Sequence, residues 1–180
     1  MEYLFTSERL GFRTWQPSDI PVLASMLADD RVMEFYPDKK SLEETTDFVK
    51  NIDRHFEVHG YGLYATDLLK TGQFIGYIGF KRFDFAVPFA PGIEIGWRTS
   101  ADTWGQGLAT EGAKACLTYA WETLGFERVY SFTAVPNKRS ERVMQKIGME
   151  KTGEFDHPKL DKGHWLERHV LYEILRPSHS

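Results

Sequence analysis

A glycine-loosened turn runs directly into a long helix at Trp104-Gly105-Gln106-Gly107-Leu108-Ala109-Thr110-Glu111. The first amides of a helix have no acceptor inside the helix, and the macrodipole adds roughly half a positive charge at that end. Gly105 and Gly107 let the backbone approach a ligand without a Cβ in the way. The stretch therefore predicts an anion site, for which a phosphate or pyrophosphate is a natural guest.

The elements on either side of this turn are read from their apolar spacing. Ile93–Arg98 reads as a strand that leads into the turn. The following helix ends at Gly125, and its apolar stripe recurs at three- and four-residue intervals. The stripe consists of Ala109, Ala113, Cys116, Leu117, Ala120, Trp121 and Leu124. The sequence therefore predicts the order strand, phosphate turn, packed helix.

Two common phosphate loops fit this turn poorly. A Walker loop needs a lysine followed by Ser or Thr after its last glycine, and Leu108-Ala109 stands there instead. A dinucleotide loop needs three glycines or two glycines and an alanine, but Gly105 and Gly107 are followed by Thr110. The Walker motif is therefore excluded and the dinucleotide motif is weak.

Composition favours a soluble enzyme domain. The 180 residues carry a net charge of -4 and contain no basic run, so a nucleic-acid surface has little support. The first residues show no apolar segment after a basic start, and no apolar stretch approaches about 18 residues, so we expect a cytoplasmic protein with no membrane partner. Cys116 is the only cysteine, so no internal disulfide can form. We predict a single domain over residues 1–180.

Periodicity and turn signals predict a mixed order of helices and strands. Helices are expected at 18–28, 41–59 and 140–146, in addition to the one after the turn. Strands are expected at 8–14, 61–67, 74–83, 93–98, 128–135, 149–155 and 166–174. The Pro-rich loop 85–92 carries aromatic side chains that could shape a substrate mouth.

The chain resembles the GNAT N-acetyltransferase superfamily in the turn Gln106-Gly107-Leu108-Ala109, where that family holds the pyrophosphate of acetyl-CoA. Glu94-Ile95-Gly96-Trp97 together with 104–111 is similar to its RimJ/RimL-like branch. Ser7–Arg13, Pro136–Ser140 and Ile147-Gly148-Met149 extend the resemblance over nearly the whole chain. Trp104 departs from the general pattern, which has Gln or Arg there.

This resemblance implies a mixed α/β (α+β) fold. Its central mixed sheet has about seven mostly antiparallel strands, a splayed parallel pair and flanking helices. Acetyl-CoA would be the co-substrate, its pantetheine arm lying in the splayed opening, and no metal is implied. The residues expected to bind CoA are Trp97, Arg98, Thr99, Gly105, Gln106, Gly107, Leu108, Ala109, Thr110, Asn137 and Ser140.

Two residues are candidates for the chemistry of acetyl transfer. Glu94 lies on the strand bordering the opening, where apolar neighbours would raise its pKa and suit it as a base. The alternative is a Glu94 that faces solvent or pairs with a basic residue. Ser140 resembles the serine that protonates the departing thiolate in the RimL-like branch, since Met144 stands where many members have a tyrosine. The alternative for Ser140 is a helix cap.

Other polar residues are given structural roles. Glu111 suits the start of a helix, and His157, His164 and His169 lack the spacing of a zinc site, although a histidine there could line the acceptor pocket. The resemblance to the GNAT family implies transfer of acetyl from acetyl-CoA to a primary amine by direct attack. The amine would be a protein N-terminus or a small molecule, and the protein a monomer or homodimer. A catalytically weak CoA-binding sensor or interaction module is the alternative.

Overall fold

The computed structural model describes residues 2–178. In this part of the chain the strands are β1 (Phe5–Thr6), β2 (Leu10–Arg13), β3 (Leu63–Leu68), β4 (Gln73–Phe83), β5 (Gly92–Thr99), β6 (Arg128–Ala134), β7 (Glu150–Asp156) and β8 (Arg168–Leu175). The helices are α1 (Asp19–Leu27), α2 (Leu42–His59), α3 (Leu108–Tyr119) and α4 (Lys138–Lys146), and α3 continues as a π-turn over Ala120–Leu124. No helix in 2–178 is both long and apolar enough to span a membrane.

All strands join one sheet in the order β1-β2-β3-β4-β5-β6-β8-β7. Every pair is antiparallel except β5 and β6, which run parallel and share one paired position, Glu94 with Tyr130. The Ser131 hydroxyl then donates to the Ile95 carbonyl at 3.0 Å, and the two strands separate beyond this contact. The predicted mixed sheet with a splayed parallel pair is thus confirmed. It has eight strands rather than seven, because the two-residue β1 is too short to show a period.

Apolar side chains cover both faces of the sheet. On one face α3 packs on β4 and β5, where Gly112 allows contact so close that a Cβ would lie 2.4 Å from Ile78 Cδ1. Cys116 is fully buried in this cluster, as its place on the apolar stripe predicts. On the other face, Leu23 of α1 and Val49 of α2 pack in a second cluster against the sheet. Each face therefore has its own core, and β5 lies between them.

The helices α1 and α2 are fixed to the sheet by polar contacts. The buried Arg13 guanidinium on β2 makes two hydrogen bonds to Asp19 at the start of α1 and two to Asp67 on β3. These paired contacts hold a charge that would be costly to bury alone. At α2, Ser41 and Glu44 form a reciprocal capping box. The segment 28–41 between the helices is thus held at both ends.

The start of α4 differs from the predicted one. The helix begins at Lys138, and Asn137 is its cap, because Asn137 Oδ1 accepts the Ser140 N–H at 3.3 Å. The expected start at Ser140 was too late, and Ser140 is not the cap. The sequence Asn-Lys-Arg-Ser offers two capping residue types, and the side chain of Asn137 occupies the capping position.

Candidate active site

The turn before α3 presents a row of free backbone donors. The N–H groups from Gly105 to Thr110 have no acceptor within residues 2–178, and the first bond of the helix runs from Glu111 N–H to the Gly107 carbonyl at 3.0 Å. Gly105 and Gly107 have φ values of 74° and 76°, in the left-handed region that side chains disfavour. Six consecutive amides at a helix N-terminus match the oxygens of a pyrophosphate.

Hydrogen bonds from the Arg9 side chain hold this turn in place. Arg9 Nη1 donates to the Gln106 carbonyl at 3.0 Å, while Arg9 Nε donates to Glu111 Oε2 at 2.6 Å. Ser7 Oγ also donates to Glu111. Partial burial alone would raise the pKa of Glu111, but the hydrogen bonds from Ser7 and Arg9 lower it, so it stays charged. Glu111 therefore has the structural role expected of it.

A cavity of about 360 Å³ opens beside the turn, and we call it the loop cavity. It is lined by nearly all of the residues predicted to bind CoA: Trp97, Arg98, Thr99, Gly105, Gly107, Leu108, Ala109, Thr110, Asn137 and Ser140. Gln106 lies on the turn but does not line the cavity. Arg139, Arg142 and Lys146 add positive charge from α4. Arg139 is paired with Glu34 at 2.9 Å, while Arg142 and Lys146 have no ion pair within residues 2–178, so free amides and unpaired cations line one cavity and fit the polyphosphate end of CoA.

Ser140 lies in the wall of the loop cavity, and its hydroxyl forms no hydrogen bond within residues 2–178. The Asn137 amide is already used, since its Oδ1 caps α4 and its Nδ2 donates to Thr133 Oγ1 at 3.0 Å. Met144, at the position of the usual family tyrosine, is fully buried in the core. On α4, the Ser140 hydroxyl is therefore free to donate to a ligand, whereas Met144 cannot reach one.

A second cavity, of about 370 Å³, lies on the other side of the opening, and we call it the Glu94 cavity. Glu94, Gly96 and Arg98, which lie on one face of β5, line it, and so does Trp97 between them. Its other walls come from β3, β4, β6, β8, α2 and the segments 35–37 and 157–160. Phe35, Tyr36, Trp97 and Arg98 line both cavities, so the two meet there.

The Glu94 side chain lies in the wall of this cavity, is partly exposed, and forms no hydrogen bond or ion pair within residues 2–178. Burial raises the pKa of Glu94 to about 7, and the positive charges of Lys81, Lys159 and Arg98 limit the rise. A carboxyl with that pKa is divided between its two protonation states near neutral pH. Such a group can both take up and release a proton under working conditions.

Two histidines stand across the cavity from Glu94. The ring centroids of His157 and His169 lie 4.9 Å apart, and Phe132 and Phe155 pack around them. Burial lowers the pKa of His157 to about 4, helped by the nearby His169, and burial also lowers the pKa of His169. Both rings are thus uncharged near neutral pH. No group of three or more metal-ligating side chains occurs in residues 2–178.

Several residues of the Glu94 cavity could not be picked out from the sequence: Phe35, Tyr36, Lys81 and Lys159. Lys81 pairs with Glu94 in the β4–β5 ladder, so the register of that hairpin would have revealed it. Phe35 and Tyr36 lie in irregular chain, where no period exists to read. Of the Pro-rich loop, Phe85 lines the cavity, whereas Phe89 packs on Tyr130 and Phe155.

The family model for the acetyltransferase (GNAT) domain matches residues 9–150. Because this match covers most of its length, the chain belongs to the GNAT acetyltransferase family. It is an N-acetyltransferase of the kind that uses acetyl-CoA, as the resemblance in sequence implies, and the free amides at the start of α3 agree with a phosphate-bearing ligand.

The chain is similar over most of its length to two proteins of Bacillus subtilis (strain 168), one of them named an N-acetyltransferase. The chain is 30% identical over 144 residues to the uncharacterized protein YkkB, covering 79% of this chain and 83% of YkkB. It is 27% identical over 170 residues to the uncharacterized N-acetyltransferase YnaD, covering 94% of this chain and 95% of YnaD.

Solved structures share the fold over nearly the whole chain. A GNAT-family acetyltransferase from Bacillus anthracis has a TM-score of 0.78 at 26% identity, covering 95% of this chain and 97% of that one. RimL, a ribosomal L7/L12 alpha-N-protein acetyltransferase in complex with coenzyme A, has a TM-score of 0.78 at 19% identity, covering 97% and 98%. Spermidine N-acetyltransferase from Vibrio cholerae, with CoA and spermine, has a TM-score of 0.74 at 15% identity, covering 93% and 96%.

Proposed function

We propose that this enzyme transfers acetyl from acetyl-CoA to a primary amine that enters through the Glu94 cavity. Glu94 carries the proposal, because it is an unpaired carboxyl with a pKa of about 7 in the wall of the cavity that meets the loop cavity. Acetyl-CoA supplies an acetyl group activated as a thioester. The loop amides and the α4 cations would hold its phosphates, leaving the junction for the reacting end.

Glu94 would act as the general base. A primary amine is mostly protonated at neutral pH and attacks a thioester only after it loses a proton. The ionised Glu94 carboxylate accepts that proton, directly or through one water, and burial supplies the basicity that an exposed carboxylate lacks. Transfer then forms a C–N bond to the acetyl carbon as the C–S bond breaks.

Ser140 would stabilise the departing sulfur. Its hydroxyl has no partner in 2–178 and faces the loop cavity, so it can donate a hydrogen bond to the thiolate as charge develops. Such a bond is stronger in the transition state than in the ground state and therefore raises turnover. We propose a position in the RimJ/RimL-like branch on these residues and leave both a protein N-terminus and a small amine as acceptors.

The direct test measures release of the CoA thiol from acetyl-CoA while amines are supplied in turn. We expect thiol release that depends on the amine, with the acetyl group recovered on nitrogen by mass spectrometry. If acetyl-CoA binds but none of the peptides, polyamines and amino acids in a panel causes thiol release, the chain is a CoA-binding module. Gly96→Val serves as a variant that narrows the Glu94 cavity, because a Cβ at Gly96 projects into open space.

A further inference from the structure

The junction of the two cavities contains a cation without an anionic partner. Arg98 Nε is buried and makes no hydrogen bond, Nη1 donates to Met33 Sδ at 3.7 Å, and the other polar neighbours of the guanidinium are Tyr36 and Tyr77. The guanidinium carbon lies 3.5 Å from the centroid of the Tyr36 ring, and no ion pair joins it to a carboxylate in the described part of the chain. A guanidinium offers five N–H donors, so one held this way is short of acceptors.

This cation stays charged inside the protein. Burial opposes the charge of Arg98, but Tyr36, Tyr77 and Glu94 outweigh it and raise the pKa of Arg98 above its ordinary value. A buried charge without a counter-ion is costly unless something in the cavity offsets it. A planar guanidinium matches a carboxylate, because two parallel N–H bonds reach its two oxygens.

Two other side chains of the Glu94 cavity are positively charged, like Arg98. Lys81 and Lys159 line it and form no ion pair within residues 2–178, whereas Glu94 is its only acidic side chain. Since His157 and His169 are uncharged near neutral pH, three positive groups face one carboxyl. A cavity with this balance repels a polyamine and attracts an anion.

The phosphates of CoA do not account for Lys81 and Lys159, which line the Glu94 cavity but not the loop cavity. The free amides of the turn and the cations of α4 are absent from the walls of the Glu94 cavity, whereas Arg98 lines both cavities. An anion that Arg98 attracts together with Lys81 and Lys159 therefore comes with the second substrate. Its remaining walls are rich in aromatic rings, among them Phe48, Phe85 and Phe132, which suit an apolar body.

We propose that the acetyl acceptor is an amine that also carries a carboxylate, and that Arg98 binds this carboxylate. This inference rests on the proposed function. The acceptor is a free amino acid with an apolar side chain, or the amino terminus of a peptide with an acidic residue near it. In both, Lys81 and Lys159 add long-range attraction and the aromatic walls receive the apolar part.

A different role for Arg98 makes a different prediction. If Arg98 stabilised charge on the thioester oxygen during transfer, its loss would lower turnover equally for every amine. If it binds the carboxylate of the acceptor, its loss affects only amines that have one and acts mainly on kcat/KM through binding. Matched pairs of acids and amides separate these roles.

The experiment compares kcat/KM for phenylalanine and phenylalaninamide, and for the peptides Ser-Glu-Ala and Ser-Gln-Ala, with spermidine as a third class. In the parent protein we expect at least one acid to exceed its amide by about tenfold or more, and spermidine to be poor. Arg98→Gln should bring that ratio close to one, and Arg98→Lys should keep part of it. Arg82→Gln is the matched control, because Arg82 is exposed on the same strand as Lys81 and does not line the cavity.

Calorimetry gives a second measurement that does not need turnover. With CoA present, N-acetylphenylalanine should bind the parent protein more tightly than its amide, and the difference should vanish in Arg98→Gln while CoA affinity is kept. A larger acid-to-amide ratio in the amino acid pair indicates that the acceptor is a free amino acid. A larger ratio in the peptide pair indicates an acidic amino terminus. Amides or spermidine used as well as the acids, or no acid bound more tightly than its amide, would overturn the proposal. Failure of the proposed function itself is distinct, because no amine would then be acetylated at all.

Discussion

The two cavities that meet at the β5–β6 opening are made from different parts of the chain. The loop cavity offers backbone amides from one continuous turn, fixed by two left-handed glycines and the start of α3. The Glu94 cavity is made of side chains from strands on both sides of the opening, from α2 and from irregular segments. Backbone amides bind what all substrates of an enzyme class share, whereas side chains can differ from one enzyme to the next. The comparison predicts that changes in one cavity leave the function of the other intact.

The largest expected effect comes from Glu94→Gln. Loss of the base should lower kcat about 10²- to 10⁴-fold and leave the affinity for acetyl-CoA unchanged. The rate of the parent enzyme should rise as pH passes through about 7, because Glu94 must lose its proton before it can accept one. The variant should lack this rise. A pH–rate profile of identical shape and height in both proteins would show that Glu94 takes no part in catalysis.

The same substitution should change how stability depends on pH. The raised pKa means that folded Glu94 keeps a proton between pH 4.5 and about 7 that it loses in the unfolded chain. The contribution of Glu94 to the free energy of unfolding should therefore fall over this range, by up to about 3 kcal/mol, and stay level above it. His157 contributes with the opposite sign between pH 4 and 6.5 in both proteins, so the contribution of Glu94 is the difference between the parent and Glu94→Gln. Urea unfolding at pH 5 and pH 8 tests it, and equal pH dependence in both proteins would mean that water reaches Glu94 freely.

A substitution in the 104–111 turn should lower the affinity for CoA, which Glu94→Gln leaves unchanged. Gly107→Val places a β-branched residue at a φ of 76° among the free amides, and we expect CoA affinity to fall about 10- to 100-fold by calorimetry. Gly125→Val is the matched control, since Gly125 has a φ of 70° at the end of the π-turn, away from both cavities. Both variants carry similar backbone strain. Equal CoA affinity in the two would remove the turn from the binding site.

The smallest expected effect concerns Ser140. Ser140→Ala should lower kcat about tenfold with little change in either Michaelis constant, because the hydroxyl acts only as thiolate charge develops. Its melting temperature should stay at the parental value, since Asn137 rather than Ser140 caps α4. Asn137→Ala is the comparison, and we expect it to cost about 0.5–2 kcal/mol of stability. Parental turnover in Ser140→Ala would assign protonation of the sulfur to water or another group.

The difference between the cavities also explains what could be read from the sequence. Glycine spacing and the start of a helix are local signals, so the 104–111 turn, α3 and the flanking β5 and β6 follow from short stretches of chain. The splay of β5 from β6 required the resemblance to a family. The sequence does not predict β1, because two residues are too few to show a period. It places the start of α4 at Ser140 instead of Lys138, because both Asn137 and Ser140 are capping residue types.

No local sequence signal identifies which side chains are neighbours across the sheet. Glu94 could be named because it lies on the strand before the turn. The side chains around Glu94 could not be predicted, because Lys81 comes from the adjacent hairpin strand and Lys159 from a loop after β7. Arg98 was assigned to CoA on family grounds, while the structure places it in the walls of both cavities. The pKa of Glu94 depends on these distant residues and therefore on the tertiary fold.

The segment 28–41 crosses both cavities with Phe35 and Tyr36, yet its ends are fixed by contacts that lie elsewhere. The Arg13–Asp19–Asp67 cluster holds α1 and the Ser41–Glu44 box starts α2, so neither depends on the residues in between. Within the segment, Val32 and Met33 are buried in the core with α1 and α2, whereas Phe35 and Tyr36 lie at the meeting point of the two cavities. Exchanging Phe35 and Tyr36 while keeping Val32 and Met33 would therefore reshape the site and leave the sheet and the 104–111 turn in place.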